Sequence, residues 1–466
     1  MNPDFSLRHF LQHIEDDDPS AVIRVRDQVT TEHDMTTVIM ELDRRHRYPV
    51  VIFENVAGYD MPVVTNLLAT RRRLALALGV AESALIESWS NRSDTLIDPV
   101  SCDTGPVCEV ELTGADVDLG TLPIASHFTE DAGKYITNGI VVAKHPETGV
   151  RNASFHRMQV KGATRISTSL HSRRHLWNYA KRAEELGQDL PVAIVIGAGP
   201  AFTLGGLWKG SIETDEYAVM GGLAGAPMEI VPGLTVPVEV PAAAEIVLEG
   251  RILCGVREPE GPFAEFTGYA TARSTQHVIE VSAIRRRADA LYHDIIPGIS
   301  EEHTQLLAVP QEARLLRTLR QQYPNVTKVA YPKSGTCRFH ACIALRDSTP
   351  GQARNVAAAA LGDDLSLKLA IVVDDDIDVH SDFDVMWAIC TRMQAHQDID
   401  ILRRAMGAIL DPSNDAGLTS KMIIDATRPS LDYPPRHTLT PASLERTRQI
   451  VQEILGGRRE NPEGRR

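Results

Sequence analysis

At 466 residues the chain is too long for one ordinary hydrophobic core, so two to three domains are expected. With 43% apolar and 24% charged residues it has a globular composition, and it contains no run of ~18 apolar residues that would span a bilayer. A net charge of −14 argues against a nucleic-acid or anionic-membrane surface, yet leaves room for a small anion held by a local arginine cluster.

The opening MNPDFSLRHFLQHIEDDDPS carries charge in every turn and lacks the apolar core of a signal peptide. Cys102, Cys108, Cys254, Cys337, Cys342 and Cys390 are dispersed without a C-x-x-C pair, which points to a reduced, cytoplasmic setting. Phe5–Glu15 reads as an amphipathic helix, Thr36–Leu42 as a helix and Pro49–Glu54 as a buried strand. Met61–Leu78 reads as a helix closed by Gly79. From about Pro106 the texture turns to short strands: Cys108–Leu112, Gly139–Lys144, Ser154–Lys161 and Thr164–Ser169. After a helix at Arg173–Leu186 come Pro191–Ile196, Met228–Val231, Val236–Val240, Glu245–Leu253 and His277–Ile284, as in a barrel or sandwich. Helix and strand then alternate: a helix at Glu312–Gln321, a strand at Val326–Ala330, a strand from Phe339, a helix at Ala353–Leu361, a strand at Leu369–Val373 and a helix at Asp384–Ala395. A terminal helix, Ala442–Leu455, precedes a charged tail. The fold class predicted is α+β and multidomain: an N-terminal α/β domain over 1–105, a central split β-barrel over 106–305, a C-terminal α/β domain over 310–435, and the helix and tail over 440–466.

Several stretches carry possible chemistry. REPEGPFAEFTGY (Arg257–Tyr269) sets Glu260 and Glu265 either side of a Gly-Pro break, on a shaped turn with Phe263, Phe266 and Tyr269 as apolar cover. Burial near like charge raises a carboxyl's pKa, as a proton donor near neutral pH requires. A surface turn with two unrelated glutamates fits the same residues. Asn152, His156 and Arg157 lie in RNASFHRMQV, at the start of a strand, and His171, Arg173, Arg174 and His175 in HSRRH at a helix start. Arginines at a helix N-terminus suit phosphate, and a solvated basic helix end is the plain alternative. PVAIVIGAGPAFTLGG places Phe202 where a dinucleotide fingerprint needs its third glycine, which disfavours a Rossmann site. Cys337, His340 and Cys342 lack a fourth zinc ligand, and Asp374, Asp376 and Asp378 lack the glycine and glutamate of a calcium loop.

Five segments in order, RNASFHRMQV, HSRRH, DEYAVMGGLAGAPMEIVPGLTVPVEVPAAAEIVLEG, EPEGPFAEFTGY and LTSKMIIDAT, resemble the UbiD family of prenylated-FMN-dependent reversible decarboxylases, over roughly residues 5 to 435. The resemblance implies a catalytic network of Arg157, Glu260 and Glu265. It implies manganese (or magnesium), with potassium as a further candidate ion, on Asn152, His175 and Glu216, with Glu213 and Glu229 as competitors for the acidic place. It implies a cofactor lined by Ala153, Ser154, Phe155, His156, Arg157, Met158, Gln159, Arg174 and Lys421. The implied reaction is loss of CO₂ from an aromatic, heteroaromatic (furan- or pyrrole-type) or α,β-unsaturated acid through a covalent adduct with prenylated FMN, with Glu265 returning the proton. Arg157 would hold the substrate carboxylate or tune the glutamates, and Glu260 would shift the donor's pKa. His293 and His303 are candidate substrate contacts, and a satisfied core histidine is the plain reading of His293. A flavin prenyltransferase would supply the cofactor, and a homodimer or homohexamer is the expected assembly. Two alternatives stand beside this reading: a non-catalytic flavin- or phosphate-binding protein, and a flavin-independent metal hydrolase on Asn152, His175 and Glu216.

Overall fold

The computed structural model describes residues 5–170, 174–429, 432–434 and 436–456. His171, Arg173 and the charged tail from residue 457 lie outside them. The described residues form a mixed α+β architecture with four sheets, and residues up to Thr427 make one compact unit.

The first helix, Leu7–Asp17, starts where Ser6 accepts from the His9 amide, and buries Leu7, Phe10, Leu11 and Ile14. A four-stranded sheet follows in the order Val22–Val25, Val50–Phe53, Val63–Thr65, Tyr292–His293. The helix expected over Met61–Leu78 is therefore corrected. Val63, Val64 and Thr65 are β-branched and pair with Phe53, Ile52 and Val51. Thr70 then caps a shorter helix, Arg71–Ala77, by accepting from the Arg73 amide.

The centre is one antiparallel sheet in the order Tyr135–Ile136, Met158–Val160, Arg165–Thr168, Ser274–Arg286, Ile246–Glu260, Leu190–Ile196, Ile140–Lys144, Arg151–Phe155, with Val110–Thr113 also on Ser274–Arg286. Its connectivity forces it to curl. Arg151–Phe155 and Met158–Val160 lie near opposite ends, six strand spacings or about 29 Å apart in a flat sheet. Yet three Cα steps, at most about 11 Å, join Phe155 to Met158. The ends must therefore meet as a split barrel, and His156–Arg157 bridge the seam. The single strand expected over Ser154–Lys161 is thus two strands broken at those residues.

The strand expected to end at Leu253 continues to Glu260. Glu260 is therefore the last strand residue, and only Glu265 lies in the following loop. Gly261, at φ +86°, makes the bend. Val236–Val240 contributes only a short pair, Val240–Pro241, to a small three-stranded sheet. The glycine-rich segment after Leu190–Ile196 enters the helix Pro200–Gly205. There Gly199 lies so close to the Phe5 backbone that a Cβ would stand 2.4 Å from the Phe5 carbonyl carbon. Those glycines serve packing.

The helix expected from Glu312 begins at Glu301, capped by Ser300, and runs unbroken through Pro310 to Arg320. It is stapled to the N-terminal layer. Glu302 accepts from the Asn66 and Leu68 amides at 2.7 Å each, and Arg71 pairs with Glu312 at 2.8 Å. The last sheet runs Val326–Ala330, His340–Leu345, Leu369–Asp374, Leu418–Ala426, Ile399–Met406, its three central strands parallel. The helix Pro441–Gly456 belongs to a separate unit from Arg428 onward. No helix among the described residues is long and apolar enough to cross a membrane.

Candidate active site

The barrel seam brings Arg157 to both glutamates. Its Nη2 donates to Glu260 at 2.8 Å and its Nη1 to Glu265, while the guanidinium lies 5.3 Å over the Phe263 ring. Glu260 is wholly enclosed, and the Arg157 and Glu265 side chains are 13% and 12% exposed, so one edge of the cluster stays open to a small molecule. Burial pushes the Glu265 carboxyl above its ordinary range, against the opposing pull of Arg157. Tyr135 donates to Glu260 at 3.2 Å and packs its ring 4.5 Å from Phe263. No sequence signal singled out Tyr135; its pairing opposite Gln159 at the seam is what places it.

The loop holding Glu265 is fixed at several points. The Gly261 amide donates to Gln159 at 3.3 Å, the Ala264 amide to Asp131 at 2.8 Å, and the Glu265 amide to the Tyr269 carbonyl at 3.1 Å. Phe263 and Phe266 are buried, but Tyr269 is 65% exposed and is not part of the expected apolar cover.

A second cluster forms on the Arg151–Phe155 strand itself, around Asn152 and Ala153. Asn152 Nδ2 donates to the two Glu216 oxygens at 2.8 and 2.9 Å, and His175 Nδ1 lies 3.2 Å from Glu216 Oε1. The Ala153 amide also donates to Glu216. Burial raises the Glu216 carboxyl, with His175 opposing. His175 opens the helix His175–Glu185 and Glu216 opens Glu216–Ala224, so two positive helix ends meet at this point. Glu213 and Glu229 are exposed and join neither cluster.

The donor set fits a hard cation: one carboxylate, one imidazole and one amide. Coordination by Asn152 needs its Oδ1 turned toward Glu216, and Ser154, whose hydroxyl now donates to that oxygen at 2.9 Å, can follow the turn by accepting instead. Among the described residues no group of three or more His, Cys, Asp and Glu is placed to hold a metal, so such an ion would depend on Asn152 and on groups outside the protein.

The remaining expected residues divide. His156 is buried between Ser154 Oγ at 3.0 Å and the Ser169 carbonyl at 3.2 Å, and burial lowers its pKa to about 4, so it is neutral. Met158 is fully enclosed in the core. Lys421 stands in a strand, donating to the Leu361 and Asp364 carbonyls at 2.7 and 3.0 Å. His303 binds the Gly298 carbonyl at 2.8 Å through Nδ1. His293 is 1% exposed with neither ring nitrogen hydrogen-bonded among the described residues, and burial lowers its pKa to about 4. Cys337 and Cys342 are buried free thiols.

Comparison with known proteins bears on this geometry. Models of the 3-octaprenyl-4-hydroxybenzoate carboxy-lyase N-terminal, Rift-related and C-terminal domains match residues 18–93, 99–300 and 304–426. The anhydromevalonate phosphate decarboxylase of Methanothermobacter thermautotrophicus is 38% identical over 431 residues, covering 91% of this chain and 97% of that protein. Its namesake from Methanosarcina mazei is 36% identical over 388 residues, covering 81% and 87%. The UbiD-class enzyme HmfF from Pelotomaculum thermopropionicum, solved with FMN, superposes with a TM-score of 0.90 at 37% identity over 96% of this chain and 99% of that one. An evolved dimeric form of that enzyme, solved with prenylated FMN, gives 0.86 at 35% identity over 94% and 100%. The chain therefore belongs to the UbiD family of carboxy-lyases, enzymes that decarboxylate.

Proposed function

We propose that this protein catalyses the non-oxidative, reversible decarboxylation of an aromatic, heteroaromatic or α,β-unsaturated carboxylic acid with prenylated FMN. The observation that carries this reading is Arg157 bridging Glu260 and Glu265 across the barrel seam, with one edge open. The names of the two archaeal relatives favour the α,β-unsaturated class, with a phosphate on the acid.

When bound, prenylated FMN supplies the electron sink that no side chain offers for the breaking carbon–carbon bond. The protein's residues do the rest. Arg157 orients the substrate carboxylate by charge-assisted hydrogen bonding from N–H groups that Glu260 and Glu265 leave free. The carboxylate leaves as CO₂, and the electron pair left on its carbon takes a proton from the Glu265 carboxyl, which burial keeps protonated further toward neutral pH. Glu260, enclosed and hydrogen-bonded by Tyr135, holds Arg157 in place. In the carboxylating direction Glu265 takes the proton back. The rate of decarboxylation should therefore fall as pH rises through the raised Glu265 pKa.

Asn152, His175 and Glu216 would hold Mn²⁺ (or Mg²⁺), with K⁺ nearby, at the two helix ends where a flavin phosphate is favoured. The backbone of Ala153–His156, with Gln159 and Arg174, would line the cofactor. His293 and His303 are the candidate substrate contacts, and the unpaired His293 nitrogens support that place for it. Cofactor supply by a flavin prenyltransferase, a homo-oligomeric assembly, a cytoplasmic setting and domain limits near 105, 305 and 435 complete the proposal.

The test is production with and without a flavin prenyltransferase, followed by a screen of the three acid classes for CO₂ release. Release only from protein made with the prenyltransferase is the expected result. Equal activity without it would favour a flavin-independent metal enzyme. A flavin spectrum with no release would favour a non-catalytic binding protein.

A further inference from the structure

Three elements bring two cations together around one neutral amide, with Asp364 as the carboxylate that acts on Lys209 from nearby. Lys209 follows the helix Pro200–Gly205, Arg338 precedes the strand His340–Leu345, and Gln311 lies in the helix Glu301–Arg320. With its amide oriented by these neighbours, Gln311 Oε1 accepts from Arg338 at 3.2 Å and from Lys209 at 2.5 Å. Two cations bound to one neutral atom stand within about 6 Å of each other and repel. Lys209 is exposed as a residue, yet the protein atoms packed about its ammonium, with Arg338 and Arg174, push it below the ordinary lysine range, against the pull of Asp364. The neighbouring Arg314, by contrast, is paired with Asp363 at 2.7 Å. Among the described residues neither Lys209 nor Arg338 has an ion pair, and the Arg338 Nε is buried without a hydrogen-bond partner.

This pair adjoins the reacting centre. The Arg338 guanidinium lies 5.4 Å over the ring of Phe266, the residue after Glu265. It is also close enough to Glu265 and His303 to lower the proton affinity of both. Lys209 lines a solvent-reached cleft with Trp89, Trp208, Pro310 and Arg314. The cations therefore stand between an opening to solvent and the proton donor.

We infer that Arg338 and Lys209, spaced by Gln311, receive a second anionic group of the substrate, a phosphate dianion, while Arg157 holds the carboxylate that leaves. A dianion matches two cations in charge, and its oxygens can take the guanidinium fork and the ammonium together. The inference rests on the decarboxylase reading above and adds the residues that select among acids. The same phosphate chemistry could come from the flavin, so the test separates the two sources.

The probes are 5-phosphooxypent-2-enoic acid, its 5-hydroxy counterpart, and FMN. Arg338→Gln and, independently, Lys209→Gln are compared with the parent protein for FMN affinity by fluorescence quenching, for binding of each acid to flavin-loaded protein by calorimetry, and for kcat and KM. Each substitution should lower the preference for the phosphorylated acid about 30-fold, chiefly in KM, the scale of one charge-assisted contact. FMN affinity should stay within about two-fold, since the flavin phosphate is proposed to sit elsewhere. A fall in FMN affinity parallel to the loss of acid binding would assign the cations to the flavin and overturn the inference. So would equal binding of the two acids by the parent protein. If neither acid is decarboxylated but the phosphorylated one still binds preferentially through Arg338, the second-anion site stands and the catalytic reading fails.

Discussion

Two arginine clusters in this molecule are nearly the same in composition. Arg157 joins Glu260 and Glu265 and lies 5.3 Å over Phe263; Arg392 joins Asp374 at 2.9 Å and Asp376 at 2.7 Å and lies 5.4 Å over Trp387. They differ in what they connect. Arg392 is 18 residues from Asp374 and ties a strand end to the next helix, within one local unit. Arg157 is 103 residues from Glu260 and 108 from Glu265, and it holds a barrel seam against a loop. In the Arg392 cluster only Asp376 reaches solvent, while the arginine itself is 2% exposed; in the other, the arginine and Glu265 share the accessible edge. One arginine between two acids does not mark a site. An arrangement that is non-local and placed at a break in the main sheet does.

That contrast can be broken by substitution. Arg392→Met leaves Asp374 enclosed without this partner and should cost about 3–5 kcal/mol in urea unfolding, while kcat of the folded protein stays within about two-fold. A large loss of kcat at unchanged stability would erase the distinction. Glu302 extends the comparison to a buried carboxyl outside both clusters. Burial raises its pKa from 4.5 to about 7, so the folded state holds that proton more tightly than the unfolded chain. Its contribution to stability is full below about pH 4.5 and is lost as pH rises through about 7, in all about 3 kcal/mol. Glu302→Gln should flatten that part of the stability curve between pH 5 and 8; an unchanged slope would contradict the assignment. Tyr135→Phe is the mildest probe. Losing the hydrogen bond to Glu260 should cost about 1 kcal/mol of stability and lower kcat about five-fold, and equal kcat would remove Tyr135 from the site.

The parts of the site that were legible in sequence lie on short, contiguous segments. RNASFHRMQV and EPEGPFAEFTGY contain Asn152, Arg157, Glu260 and Glu265 in a fixed order, and the likeness to a family joined them. The seam left one mark that is easily passed over: apolar and polar residues alternate over Ala153–Phe155 and again over Met158–Val160, but the consecutive polar pair His156–Arg157 shifts the period by one residue between them. Val63–Thr65 was hidden by an apolar run that suits either period, although its β-branched residues and the Thr70 cap mark the change. The start of the long helix did carry signals, Ser300 as cap with Glu301 and Glu302 in the first turn, but Pro310 drew the boundary away from it. Lys209 and Arg338 gave no signal, since neither stands in a motif and only the fold brings them to Gln311.

The central claim, that Glu265 delivers the proton to the carbon that loses CO₂, is tested most directly by Glu265→Gln in cofactor-loaded protein. The measurement is deuterium incorporation from solvent into the product, alongside CO₂ release. Both should fall about 10²–10⁴-fold, with the flavin still bound and the thermal midpoint close to that of the parent. Deuterium incorporation and CO₂ release at the parent rate would contradict that claim.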